Sequence, residues 1–84
     1  MKYRSRTEIV AHILEAAVGG ATKTKLMYKA FLSFQQLKEY LALLVENGLL
    51  EYDKKTLEYK TSEKGARFLK IYEHLEEMWQ RRLG

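Results

Sequence analysis

Side chains that do covalent chemistry are scarce in this 84-residue chain, and each has a simpler use. There is no cysteine, which removes thiol catalysis, disulfides and cysteine-bound zinc. Two histidines and one aspartate are too few for a conventional metal site. Nor do they make a nucleophile, base and orienting acid that act as a set. Ser5, Ser33 and Ser62 each precede a helical pattern, where a hydroxyl caps free N–H groups. His12 falls off the apolar face of its helix and reads as a solvated surface residue. His74 stands among charged residues, and Asp53 in a turn. The chain therefore reads as a non-enzyme, with no catalytic residue, metal ligand, cofactor or small-molecule substrate.

What remains is the chemistry of charge and hydrogen bonding. Residues 1–38 hold seven Lys or Arg against two acids, a net of +5, whereas residues 39–84 hold eight against nine, a net of −1. A polyanion is the partner that such an uneven surface fits. Three groups stand out. Thr22, Lys23, Thr24, Lys25 and Lys29 offer hydroxyls and cations of the kind that hold a phosphate backbone. Ser33, Phe34, Gln35, Gln36 and Lys38 open a helix; glutamine bonds adenine bidentately, and lysine reaches guanine or phosphate. Lys54 and Lys55 form a basic turn. Arg4 and Arg6 add a basic arm at the start of the chain.

These groups need elements to position them. The pair Ser5 and Glu8 is a capping box that opens a first helix, with Ile9, Val10, Ile13, Leu14 and Ala17 on one face. Gly19-Gly20 stops it. Residues 21–23 suit a very short strand, and Thr24 suits the cap of a second helix over 25–30. Ser33 with Gln36 makes another capping box, and a third helix runs to about Glu46, ending at Asn47-Gly48. Its buried stripe is expected at Leu37, Tyr40, Leu41 and Leu44, with Val45 at the edge. Gln35, Lys38, Glu39, Ala42 and Glu46 should share the outward face. Leu50, Tyr52, Leu57 and Tyr59 alternate with polar residues, which predicts a β-hairpin with Asp53-Lys54-Lys55-Thr56 at its tip. Ser62 caps a last helix over about 63–83, roughly 30 Å long.

Two short helices joined by a tight turn and followed by a hairpin make a winged helix-turn-helix. The fold class expected is mainly α (α+β), with a β-hairpin wing and a long C-terminal helix. The 84 residues allow one small core, so a single domain is expected, 1–84, divided into 5–62 and 63–83. There is no apolar run near 18 residues and no secretory pattern, so no membrane partner is expected and the location expected is cytoplasmic, nucleoid-associated. Ten Lys, ten Glu, no Pro and few Asn, Gln or Asp match a thermophile's composition.

The segment GGATKTKLMYKAFLSFQQLKEYLALLVENGLLEY, followed by YKTSEKGARFL, resembles the small archaeal winged-helix DNA-binding proteins of about ten kilodaltons. The resemblance covers residues 5–84. It implies a duplex DNA-binding protein, chromatin-associated or a transcriptional regulator, that dimerises through an antiparallel coiled coil of the C-terminal helix. Two residues depart from the pattern. Phe31 stands in the turn where a small or polar residue is usual, and Thr61 where an apolar residue usually precedes the cap. A protein-interaction winged helix with an incidental basic face is the alternative, and an RNA binder a third; the latter needs exposed aromatics, of which Phe34 is the one near the basic face.

The last helix supports the dimer independently. At about 100° per residue, Phe68, Leu69, Ile71, Tyr72, Leu75, Met78, Trp79 and Leu83 cover half its circumference. Phe68, Ile71, Leu75 and Met78 follow the spacing of a coiled-coil seam. The expected dimer interface is therefore Phe68, Ile71, Tyr72, Leu75, Met78, Trp79 and Leu83. The competing arrangement folds this helix back over its own domain.

Overall fold

The structure, a computed structural model, describes residues 5–83, with side chains as far as Met78. Expectations on Arg4 and on the side chains of Trp79 and Leu83 lie outside the described residues. Ser5 opens α1 (Arg6–Ala16), its hydroxyl accepting the Glu8 N–H at 3.1 Å. The glycine pair ends the helix as expected, Gly19 and Gly20 both at positive φ. A two-residue strand, β1 (Ala21–Thr22), leads directly into α2 (Lys23–Ala30).

The cap of α2 is Thr22, not Thr24. Thr22 ends β1 in an extended conformation, which is the backbone an N-cap requires, and its hydroxyl accepts the Lys25 N–H at 3.3 Å. One residue thus closes the strand and opens the helix, and Thr24 becomes an exposed helical residue. α2 ends at Phe31, in the left-handed region with φ 56° and ψ 47°. Ser33 and Gln36 form the expected capping box at the start of α3 (Phe34–Glu46). Leu37, Leu41 and Leu44 of α3 are buried, Tyr40 is half-buried, and Val45 is exposed.

The wing consists of β2 (Leu50–Asp53) and β3 (Glu58–Thr61). Its tip is 54–57, one residue later than the alternation predicts. Asp53 pairs with Glu58 in the ladder. Its carboxylate accepts the Lys55 N–H at 2.8 Å, and its carbonyl accepts the Leu57 N–H at 2.7 Å. Closing so short a turn puts Leu57 at φ 60°, so it is an exposed tip residue and not a strand residue. The sheet order is β1-β3-β2, all antiparallel, with Ala21 opposite Tyr59 and Tyr52 opposite Tyr59.

The wing is fastened to the helices at its exit. The Thr61 hydroxyl donates to the Leu14 carbonyl of α1 at 2.6 Å, and its N–H to the Ala17 carbonyl at 3.1 Å. Thr61 is therefore polar for a reason: its hydroxyl supplies a donor to the Leu14 carbonyl, whose helical donor Val18 bonds to Glu15 instead. Ser62 caps α4 (Glu63–Leu83), accepting the Gly65 N–H at 3.1 Å while its hydroxyl donates to the Gly48 carbonyl at 2.6 Å. Gly65 must be glycine, because a Cβ there would collide with the Leu49 carbonyl oxygen and lie 2.8 Å from Thr61 Cγ2.

Ile13, Leu14, Leu26, Leu37, Leu44 and Leu50 form the fully buried centre of the core, which holds no polar side chain among the described residues. His12 is half-buried beside Glu15, Lys29 and Phe31, not the solvated residue expected, because the end of α2 closes over that side of α1. The apolar stripe of α4 divides in two. Leu69 is buried and Phe68 and Tyr72 pack against the chain's own core. Ile71, Leu75 and Met78 remain 63%, 58% and 48% exposed. Tyr72 lies near α1, where burial, then Glu76, Glu8 and Glu15, push its phenol pKa up. The molecule measures 45 × 30 × 19 Å, so α4, at about 1.5 Å per residue, spans much of its long axis.

Candidate nucleic-acid interface

A helix N-terminus presents N–H groups that no intrahelical carbonyl can accept, and so attracts anions. At the N-terminus of α3, the capping box occupies the Ser33 and Gln36 N–H groups, with distances of 3.0 and 3.1 Å. Phe34, the first residue of α3, projects into solvent next to them. Two ammonium groups approach its ring: Lys23 Nζ at 5.5 Å from the centroid and Lys38 Nζ at 5.8 Å. Each contact contributes about 0.5–1 kcal/mol at an exposed site. The aromatic thus holds two flexible lysines, from different helices, at one end of α3.

From this point a groove of about 400 Å³ runs between α3 and the wing. Lys23 and Lys38 stand on it with Ala42, Val45 and Glu46 of α3, and Tyr52 and Tyr59 of the wing. The two tyrosines are cross-strand partners, their rings 4.7 Å apart and tilted by 43°. Burial, and secondarily Tyr52, push the Tyr59 phenol pKa above its ordinary 10.0. At neutral pH it is therefore a hydrogen-bond donor with no charge to repel an anion. Lys54 and Lys55 mark the exposed wing tip, next to Tyr52 across a depression that Lys60 and the acids Glu51 and Asp53 also line.

The residues expected to bind fall into two sets. Lys23, Phe34 and Lys38 come together, and Lys54 and Lys55 share the wing with the tyrosines. Thr22 uses its hydroxyl as a cap; Thr24, Lys25 and Gln35 are exposed on α2 and α3. Lys29 lies elsewhere, beside His12 and Phe31, where a cation complements the C-terminal end of α2. Gln36 accepts the Ser33 N–H through Oε1 and lies with Arg6, Glu39, Tyr40 and Leu43, away from the groove. Glu39 is grouped with them, so the outward face of α3 is split: Lys38, Ala42 and Glu46 flank the groove and Glu39 does not.

Tyr52 and Tyr59 are the groove residues that sequence reasoning missed. Period-two alternation put them on one face of the hairpin, but whether that face met the core or the groove depends on where the wing docks. Tyr52 also adds a second exposed aromatic to the basic face, where Phe34 alone was expected. Among the described residues no cluster of His, Asp or Glu is arranged to hold a metal ion, and no helix is long and apolar enough to cross a membrane.

Comparison with known proteins places this geometry. The winged helix-turn-helix family matches the sequence over residues 3–80. The fold is similar to that of Sso10a-2, a DNA-binding protein from Sulfolobus solfataricus, with a TM-score of 0.84 and 23% identity, over 95% of this chain and 86% of that one. No curated protein matches the sequence.

Proposed function

The chain belongs to the winged helix-turn-helix family, and from that premise we propose that it binds duplex DNA as a homodimer, as a chromatin-associated protein or a transcriptional regulator. The observation that carries this reading is the Lys23–Phe34–Lys38 cluster at the start of α3, set beside the wing. In this reading the first turns of α3 enter the major groove, with Gln35 and Lys38 nearest base edges. Lys23, the α2 N-terminus and the wing lysines lie against phosphates. Glu46, further along α3, limits how deeply that helix inserts, because carboxylates repel phosphate. Similarity to a protein described as DNA-binding supports the partner class.

The homodimer rests on α4. Ile71, Leu75 and Met78 form a continuous exposed apolar strip at helical spacing, of the kind that marks an interface. Phe68 and Tyr72 already serve the chain's own core, so the paired surface is narrower than the whole stripe. The antiparallel orientation comes from the family resemblance.

The test is fluorescence anisotropy with a labelled duplex at several salt concentrations. Affinity should fall steeply as salt rises, because phosphate neutralisation releases counterions. Lys23→Glu with Lys38→Glu should weaken binding on every sequence, and Gln35→Ala should alter preference between sequences. Binding that is flat with salt would refute the electrostatic reading. Sedimentation equilibrium should give twice the chain mass, and Leu75→Glu should reduce it to one.

A further inference from the structure

The groove between α3 and the wing has an apolar stretch that phosphate binding does not use. Leu41, Ala42 and Val45 of α3 form one side, and the tilted pair of Tyr52 and Tyr59 forms the other. Val45 and Tyr52 stay 39% and 44% exposed there. A volume of about 400 Å³ falls in the range of small-molecule sites, which are mostly apolar with a few placed polar groups.

Charge is graded along this groove. At one end Lys23 and Lys38 gather at the Phe34 ring, in contacts weak enough for either ammonium to turn to an anion. Glu46 is the one acid on the described lining. It lies eight residues beyond Lys38, about 12 Å along the helix. The neighbouring acids face elsewhere. Glu39 stands with Arg6 on another side of α3, and the Glu58 carboxylate lies against Gly20. Alternation along the strands puts Glu51, Asp53 and Glu58 on the face opposite Tyr52 and Tyr59. The groove is thus cationic at one end, apolar and aromatic along its walls, and acidic at the other end.

We propose that this groove binds a small planar aromatic monocarboxylate, and that such a ligand competes with duplex DNA; the competition, though not the site, rests on the DNA reading above. The ligand carboxylate accepts charge-assisted hydrogen bonds from Lys23 and Lys38. Its ring lies on Ala42 and Val45, against the faces of the tyrosines. Glu46 rejects a second anionic group at the far end. A bound acid neutralises the two lysines that duplex binding uses and fills the space beside the first turns of α3. The protein then acts as a regulator that releases DNA in response to a metabolite of this class.

The experiment titrates the isotope-labelled full chain, without DNA, with naphthoate. Amide shifts should move at Ala42, Val45 and Tyr59 and not at Ile71 or Leu75, with a Kd on the order of 0.1–1 mM for a ligand of this size. Naphthylmethylammonium should bind about tenfold more weakly, and a naphthalene dicarboxylate with acids at opposite ends about fivefold. Lys38→Met keeps the apolar stem and should weaken naphthoate about fivefold; Glu46→Gln should restore the dicarboxylate and leave naphthoate within about twofold. Both positions are on the surface, and circular dichroism checks that the variants fold. In duplex anisotropy at constant ionic strength, naphthoate at about five times its Kd should weaken DNA binding about sixfold by mass action, whereas equal acetate should not. Shifts centred on α4, equal binding of the ammonium and the carboxylate, or a dicarboxylate indifferent to Glu46→Gln would overturn the site. Groove shifts without loss of duplex affinity would overturn the competition. If the chain binds no duplex even at low salt while the groove shifts persist, the DNA reading fails and the site stands.

Discussion

Replacing Thr61 with valine tests how the wing is held, with almost no change in shape. The Thr61 hydroxyl donates to the Leu14 carbonyl at 2.6 Å, across 47 positions of sequence and in a half-buried site. Val18, which would be the helical donor to that carbonyl, bonds instead to the Glu15 carbonyl at 3.3 Å. Valine therefore removes the donor without offering another. An acceptor left unpaired in such a site costs about 1–3 kcal/mol. The new methyl cannot sit 2.6 Å from an oxygen, so the wing exit must also move. We expect a loss of about 2 kcal/mol, which for a domain of this size lowers Tm by roughly 10 °C. The assay is thermal and urea unfolding followed by circular dichroism, at one fixed protein concentration, because the proposed dimerisation would make Tm concentration-dependent. Thr61→Ser keeps the donor and should recover most of the loss. A valine variant within 0.3 kcal/mol (about 2 °C) of wild type would refute the reasoning. The hydroxyl would then hold nothing that water cannot.

Gly65→Ala should destabilise by about 3 kcal/mol, because its Cβ meets the Leu49 backbone and Thr61; urea unfolding reads this directly, and a neutral result would mean that α4 can shift. Leu57→Gly removes the cost of a side chain at positive φ, about 1–2 kcal/mol, against about 0.4–1 kcal/mol of added unfolded-state entropy. Its Tm should stay level or rise, and a marked fall would show that Leu57 packs within its own chain. Tyr59 is raised above 10.0 by burial and by Tyr52. Its stabilisation is therefore complete below pH 10 and is lost as pH rises through the folded value, since the unfolded phenol ionises first. Tyr52→Phe should move the Tyr59 titration downward but not to its ordinary value, as followed by NMR of isotope-labelled tyrosine rings; no movement would show that the rings do not interact.

Much of the architecture was legible because its signals are local. A hydroxyl three residues before an acceptor, as at Ser33 and Gln36, reports a helix start within one turn of chain, and the glycine pair at 19–20 reports a stop. The leucines at 37, 41 and 44 report a buried face because helical periodicity forces them together. The errors were of one or two residues, and each arose where two elements share a position. Thr22 caps α2 because it also ends β1. Asp53 pairs with Glu58, which moves the tip onto Leu57. At the site, the sequence determined which side chains carry charge and which helix opens with Phe34, Gln35 and Lys38. Composition alone cannot say that Lys23 and Lys38 meet over one ring, that Gln36 and Lys29 point to other sides, or that Tyr52 and Tyr59 form the far wall of the groove. Those outcomes follow from how α2 crosses α3 and where the wing docks. That docking is decided by contacts between residues far apart in the chain: the Thr61 hydroxyl on Leu14, and the bare Cα of Gly65 against Leu49. Tertiary packing likewise divided the stripe of α4, because a cylinder can turn only part of its apolar surface toward one small core, and Ile71, Leu75 and Met78 were left facing outward.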